Sequence, residues 1–473
     1  MTTPLSLHDD RALPVDPTVR AIARTIFAEV RDLPLVCMHG HVEAQTFADN
    51  AAFGDPAQLL ITPDHYVTRM LVSQGVQLEE LGVPRADGGP VERDPRAIWR
   101  RFCEGWHLFR GTPSRYWLEH ELVDLFGVEE QPSAESADRL YDLVSARIAE
   151  DDFRPQQLLD RFNIELISTT DPATADLADH QRLTDDGLGK RIIPTLRPDA
   201  VVHLDSPSWL ADVDRMGVLA GVDTTDYDGY LAALRKRREA FIAAGGLATD
   251  HGHLTTDSTP LDADEARELY RRARAGEVSP ESTAAFAGHM LHTLAGMARD
   301  DGLVMQLHPG VFRNHHSATF GASGPDRGFD IPVSTEFTRG LRPLLDDFGR
   351  DPGFRMILFT VDETTYSREL APIAGAYPSV RLGAPWWFLD SPDGMRRFRE
   401  LATETAGFHN TSGFVDDTRA FASIPARHDL SRRIDAGYLA RLVAEHRLPE
   451  DEAVETAIDL AHRLPRIAYA RRT

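Results

Sequence analysis

Along this chain, short aliphatic runs recur, and each stops at a cluster of polar residues. Eight such runs stand out: LPLVCMH (33–39), FNIELISTTD (162–171), RIIPTLRPD (191–199), GGLATDHG (245–252), GLVMQLHPG (302–310), FRMILFTVDE (354–363), SVRLGAPWW (379–387) and FHNTSGFVDD (408–417). Runs of this length read as strands. Between them lie stretches with helical periodicity, among them DEARELYRRARAG, TAAFAGHMLHTLAGMARDDG, STEFTRGLRPLLDDFG and SPDGMRRFRELATETAG. In the last, Ser391 is placed to cap a helix and Gly407 to stop it. Strands alternating with helices indicate parallel pairing, and eight such units indicate a closed (β/α)8 barrel of the TIM type.

The interval between the first and second strands is too long for one crossover. It holds DHYVTRMLVSQGV, RAIWRRFCEGWHLFRGTPSRYWLEHELVDLFGV and SADRLYDLVSARIAEDDF, all mostly helical in pattern. The expected organisation is therefore a barrel start over 1–50, a helical insertion over 51–160 that caps the barrel mouth, and the rest of the barrel over 161–473. Amphipathic helices finish the chain after residue 428.

Composition narrows the function. The 473 residues are 42% hydrophobic, enough for a large core. The net charge is -23, from 51 Lys and Arg against 74 Asp and Glu, which argues against a nucleic-acid partner. A local arginine cluster can still hold a small anion. Only Cys37 and Cys103 occur, so no disulfide framework is expected. The start MTTPLSLHDDRALPVD lacks the pattern of a secretory signal, and no apolar run reaches the roughly 18 residues that span a bilayer. The expectation is a cytoplasmic protein with no membrane partner.

In a barrel, residues at the C-terminal ends of the strands meet on one rim. Here these are His39 and His41, Arg197 to Asp199, Asp250 and His251, His308, Asp362 and Glu363, Trp386 and Trp387, and Asp417 and Arg419. Two histidines on one strand face plus a carboxylate from the closing strand suit a divalent metal, with open positions for substrate. The alternative is a pair of histidines that hydrogen-bond backbone carbonyls. By pattern, Asp64 reads as a helix cap and Tyr66 as packing. Asp250-His251-Gly252-His253 reads as a hydrogen-bonded strand end rather than a second metal motif. The paired tryptophans read as packing, beside a Gly383–Pro385 turn that can bring them to a pocket. Cys37 reads as a small buried hydrophobe.

Taken in order, HGH, DHYVTRMLVSQGV, YWLEHELVDLFGV, ISTTDP, IIPTLRPD, DHG, MQLHPGVFRNHH, GPDRGFD, WWFLDSPDGM and DDTRAFASIPARHDLSRR resemble the uronate isomerase (glucuronate isomerase) family of the amidohydrolase superfamily. The resemblance implies a distorted barrel and aldose–ketose isomerisation of hexuronates such as D-glucuronate or D-galacturonate. It implies one divalent metal on His39, His41 and Asp417, with zinc first and manganese, iron or cobalt also compatible. It implies catalytic work by Asp417, Tyr66 and His65. Substrate contacts fall to Arg197, Arg419, His308, Trp386 and Arg313, and the family suggests a homo-oligomer. The chain departs from the family at Cys37, where an aspartate is usual, and at HPGVFRNHH and ILFTVDETTYSREL. Two rivals are a single-metal hydrolase acting on a small anion and a sugar-acid binding protein. A two-metal hydrolase would want a lysine where this chain has LATDHG.

Overall fold

The computed structural model describes residues 4–471. Its strands are β1 (Leu35–Cys37), β2 (Ile164–Pro172), β3 (Ile192–Arg197), β4 (Ala248–His251), β5 (Val304–Leu307), β6 (Val311–Phe312), β7 (Ile331–Pro332), β8 (Met356–Leu358) and β9 (Val380–Leu382). Seven of them form one parallel, curled sheet in the order β1-β2-β3-β4-β5-β8-β9, and β6 and β7 make a separate antiparallel pair. The sheet strands are largely buried on both faces, which is why they read as continuous apolar runs rather than alternating ones.

The eighth expected strand is not a strand. Thr411 makes one parallel bridge with Leu382, and the chain beyond it is irregular. Gly413 sits at φ 73° and Asp417 at φ 41°, and two left-handed residues so close together break any pleat. A side chain at Gly413 would also land 2.4 Å from the Pro465 ring. The barrel is nevertheless tied shut. Asp417 N–H donates to the His39 carbonyl (3.1 Å), and His41 N–H donates to the Thr418 carbonyl (3.0 Å).

Helices cover the sheet as the pattern foretold. Ser391 caps the helix Pro392–Ala406 by accepting from Gly394 N–H, and Gly407 ends it at φ 71°. STEFTRGLRPLLDDFG is helical only over Arg342–Phe348. Upstream, the Glu336 carboxylate accepts from the N–H groups of Arg339 and Gly340 and turns the chain instead. Within 51–160 the longer helices are Pro95–Glu104 and Ala137–Ile148. Their Trp99, Phe102 and Val144 share one apolar cluster with Leu35, Ile164 and Ile192 of the sheet. The long helix Ile424–Ala444 is buried on most of its faces and packs on the helix Pro17–Val30. No helix among the described residues is long and apolar enough to cross a membrane.

Candidate active site

A cavity of about 290 Å³ opens at the C-terminal ends of the strands. His39, His41 and Asp417 form one wall, and the other residues to which the resemblance assigns a role line it too: His65, Tyr66, Arg197, His308, Arg313, Trp386 and Arg419; of the further strand-end residues, Asp250, His251, Asp362 and Glu363 do not.

The two histidines do not share a side because of a strand pleat, since β1 stops at Cys37. They share it because the closing hydrogen bonds lay the Asp417 segment between them. Asp417 Oδ1 is 3.3 Å from His39 Nε2 and 3.0 Å from His41 Nε2, yet it is aligned for a hydrogen bond with neither. Donor atoms about 3.0–3.4 Å apart are what bonds of about 2.1 Å to a common ion require. Burial raises the Asp417 carboxyl, but the two imidazoles outweigh it and hold the group far below the usual range. Burial keeps His41 below its ordinary value and therefore neutral, with a lone pair to give. Burial also lowers His39, but Asp250 and Asp417 more than offset it. Two imidazoles and an ionised carboxylate, converging without hydrogen bonds of their own, fit a divalent metal.

Behind this wall lies a residue whose role the sequence did not reveal. Asp250 is fully buried, and its oxygens are 2.8 Å from His308 Nε2, 3.9 Å from His39 Nδ1 and 3.4 Å from Arg197 Nη1. Burial raises it, but His308, His39 and Arg197 pull it well below the ordinary range. Asp250 is therefore more than a strand end: it links three site residues. Its neighbours do fit the plainer reading. His251 pairs with Thr249 Oγ1 (2.8 Å), and His253 lies against the His203 ring. Gly252 is needed here, because a Cβ would fall 2.8 Å from Asp199 Oδ2 and 2.9 Å from both Arg197 and His308.

Asp64 caps the helix His65–Val72 by accepting from Tyr66 N–H (2.8 Å), which fixes the two aromatic residues at the cavity. The Tyr66 ring packs edge-on against Trp117 and has the Arg427 guanidinium 5.1 Å from its centroid. Burial holds the phenol well above its ordinary value, so it is protonated and can donate. Burial, with help from Arg419 and Arg69, lowers His65 to about 3, so its imidazole is neutral. Capping, packing and a place at the site are thus compatible.

Each cation has a carboxylate as its nearest partner. Arg197 Nε donates to Asp199 (2.9 Å), Arg419 to Asp326 (2.9 Å) and Arg313 to Asp330 (2.9 Å). Both tryptophans line the cavity. Trp386 meets the His308 ring at 5.0 Å, and its buried Nε1 has no partner. Trp387 stands at φ 52° with Arg313 4.8 Å over its ring. Asp199, already placed on the rim, lines the cavity as well, together with His203 and Asp326, to which no role had been assigned. The GPDRGFD motif that carries Asp326 was visible, but nothing in the sequence pairs that acid with the distant Arg419.

Residues 18–464 match the family model described as glucuronate isomerase. A uronate isomerase of Rhizobium meliloti (strain 1021) is 54% identical over 463 residues, covering 98% of this chain and 99% of its own. The crystal structure of glucuronate isomerase from Caulobacter crescentus is 49% identical and superposes with a TM-score of 0.97 over 98% of this chain and 97% of that one. The uronate isomerase structure from Thermotoga maritima, 28% identical, superposes at 0.91 over 98% and 99%. The cavity wall, the distorted barrel and these full-length matches agree, and the chain belongs to the uronate isomerase family.

Proposed function

We propose that this enzyme interconverts an aldose hexuronate and its ketose, D-glucuronate with D-fructuronate or D-galacturonate with D-tagaturonate, in the cavity walled by His39, His41 and Asp417. The observation that carries the assignment of residues is the convergence, on one cavity, of that triad, a protonated phenol and two arginines. The reaction moves one proton from C2 to C1 and another from the C2 hydroxyl to the C1 oxygen. His39, His41 and Asp417 would hold the metal, and zinc suits two imidazoles and a carboxylate, though manganese, iron and cobalt accept the same set. When bound, such an ion supplies positive charge that polarises substrate oxygens.

The remaining work belongs to side chains. Arg197 and Arg419 orient the sugar acid and balance the charge that develops on its oxygens, in a protein that is otherwise acidic. Asp417 takes the C2 proton and returns it to C1. Tyr66, protonated at rest, donates to the oxygen at C1 while it collects the proton leaving the oxygen at C2. Neutral His65 beside it, ring centroids 4.5 Å apart, accepts and releases that proton. Trp386 and His308 close the floor and exclude water.

The test is conversion of D-glucuronate and D-galacturonate by the purified protein in D2O, followed by NMR. Deuterium at C1 of the ketose is expected, through exchange on the base. Activity is expected to vanish with a chelator and return with zinc. Conversion that survives complete metal removal would overturn the metal's place in this reading, and no conversion of either uronate would overturn the substrate class.

A further inference from the structure

Two aspartates belong to one strap that contributes to the cavity lining, and they are held very differently. The strap runs from β6 to β7 and carries the short helix Ser317–Ser323. Asp330 is buried, and it accepts from Asn314 N–H (2.7 Å) as well as from Arg313 (2.9 Å). That is a structural aspartate, fastening backbone. Asp326 is 42% exposed and faces the cavity. Its carboxylate touches only guanidinium groups, Arg419 at 2.9 Å and Arg313 at 3.7 Å, and fastens no backbone N–H. It stands at φ 59°, between Gly324 at 78° and Gly328 at 82°. An aspartate tolerates this left-handed conformation, but the geometry has to be maintained by its surroundings.

We infer that Asp326 is a built-in stand-in for the substrate's carboxylate, occupying Arg419 and Arg313 until a sugar acid displaces it. The inference rests on the reading of Arg419 as an anion-holding residue. The chemistry is a like-for-like exchange, one carboxylate for another on the same guanidinium. An incoming hexuronate replaces the ion pair it breaks, whereas an uncharged hexose breaks it and replaces nothing. The aspartate thereby filters neutral sugars out and keeps the arginines neutralised between turnovers. Displacement also has a path to the catalytic helix, because Gly328 lies beside it: a Cβ there would fall 3.7 Å from the Cβ and carbonyl oxygen of His65.

The experiment uses the metal-loaded enzyme and two variants. Asp326→Asn preserves shape and tolerates the same left-handed backbone. With the competing charge gone, KM for the hexuronate falls about three- to fivefold, the range of a partly exposed ion pair. Competitive inhibition by acetate, a carboxylate that cannot react, strengthens by a similar factor. Arg419→Met tests the underlying reading, with KM expected to rise about tenfold or more. A KM that rises in Asp326→Asn, or acetate inhibition that does not change, overturns the stand-in: Asp326 would then be positioning Arg419. An unchanged KM in Arg419→Met overturns the role of Arg419 instead, whatever Asp326→Asn shows. Asp326→Gly, which accepts the backbone geometry freely, guards against an effect peculiar to the asparagine.

Discussion

Two clusters of imidazole and carboxylate are built from neighbouring residues of the same two pieces of chain. His39 and Asp417, with His41, face the cavity. Cys37 and Asp416, with His428 from the helix Ile424–Ala444, lie behind it, buried to the last few per cent. Donor types alone hardly separate the two. Satisfaction does. In the rear cluster, His428 Nε2 is 3.5 Å from Cys37 Sγ and 3.2 Å from Asp416 Oδ2, so the groups hydrogen-bond one another. Burial and Asp416 drive the Cys37 thiol well above its ordinary value, so it stays protonated. In the front cluster Asp417 Oδ1 finds no hydrogen bond at all. A closed network fastens the fold, and an open one on a cavity is available for a ligand. Cys37 belongs to the fastening side.

The largest effect that could break this contrast comes from the front cluster. His41→Ala or Asp417→Asn should remove the bound metal and lower kcat/KM by about 10³-fold or more. Metal analysis should meanwhile find one ion per chain in wild type and in Cys37→Ala. A second ion that disappears with Cys37 would show that the rear cluster is a site after all. Next in size, Tyr66→Phe should lower kcat by about 10²-fold while KM stays within about threefold, because the phenol moves a proton rather than gripping the sugar. An equal loss in both would remove Tyr66 from the proton path. In the rear cluster, Asp416→Asn should cost about 2 kcal/mol in denaturant unfolding, with metal content retained. Lost metal without lost stability would reverse the assignment.

The smallest expected effect is a slope. Glu121 is a buried carboxyl, and burial, helped by Asp64 and opposed by Arg427, pushes it up to about 8. An unfolded glutamate titrates near 4.5. The folded state therefore keeps a proton that the unfolded state releases, so its contribution is complete below about 4.5 and is lost as pH rises through 8. Chemical denaturation of Glu121→Gln across that window should show a flatter fall of stability with pH than wild type. An identical fall would place the titrating group elsewhere.

Much of this was legible along the chain. Seven strand runs were recognisable because buried parallel strands are apolar on both faces. Ser391 and Gly407 marked their helix because capping is local chemistry. The eighth run misled because its closure depends on two left-handed residues, Gly413 and Asp417, and on hydrogen bonds to residues almost 380 positions earlier. His39, His41 and Asp417 were found through local spacing joined to family resemblance. Asp250 was passed over because its significance lies in His39, Arg197 and His308, which come from three other strand ends. Asp326 was missed for the same reason, since its nearest partner, Arg419, lies on another segment of the rim.

The two hydrogen bonds that join residues 39 and 41 to residues 417 and 418 also set an order of events in the life of the chain. On a ribosome, the histidines are made almost 380 residues before the aspartate. Throughout that interval the nascent polypeptide carries an incomplete ligand set and a sheet with two open edges. Completion of this triad and ring closure thus become one event, and a released chain that ends short of residue 417 has neither.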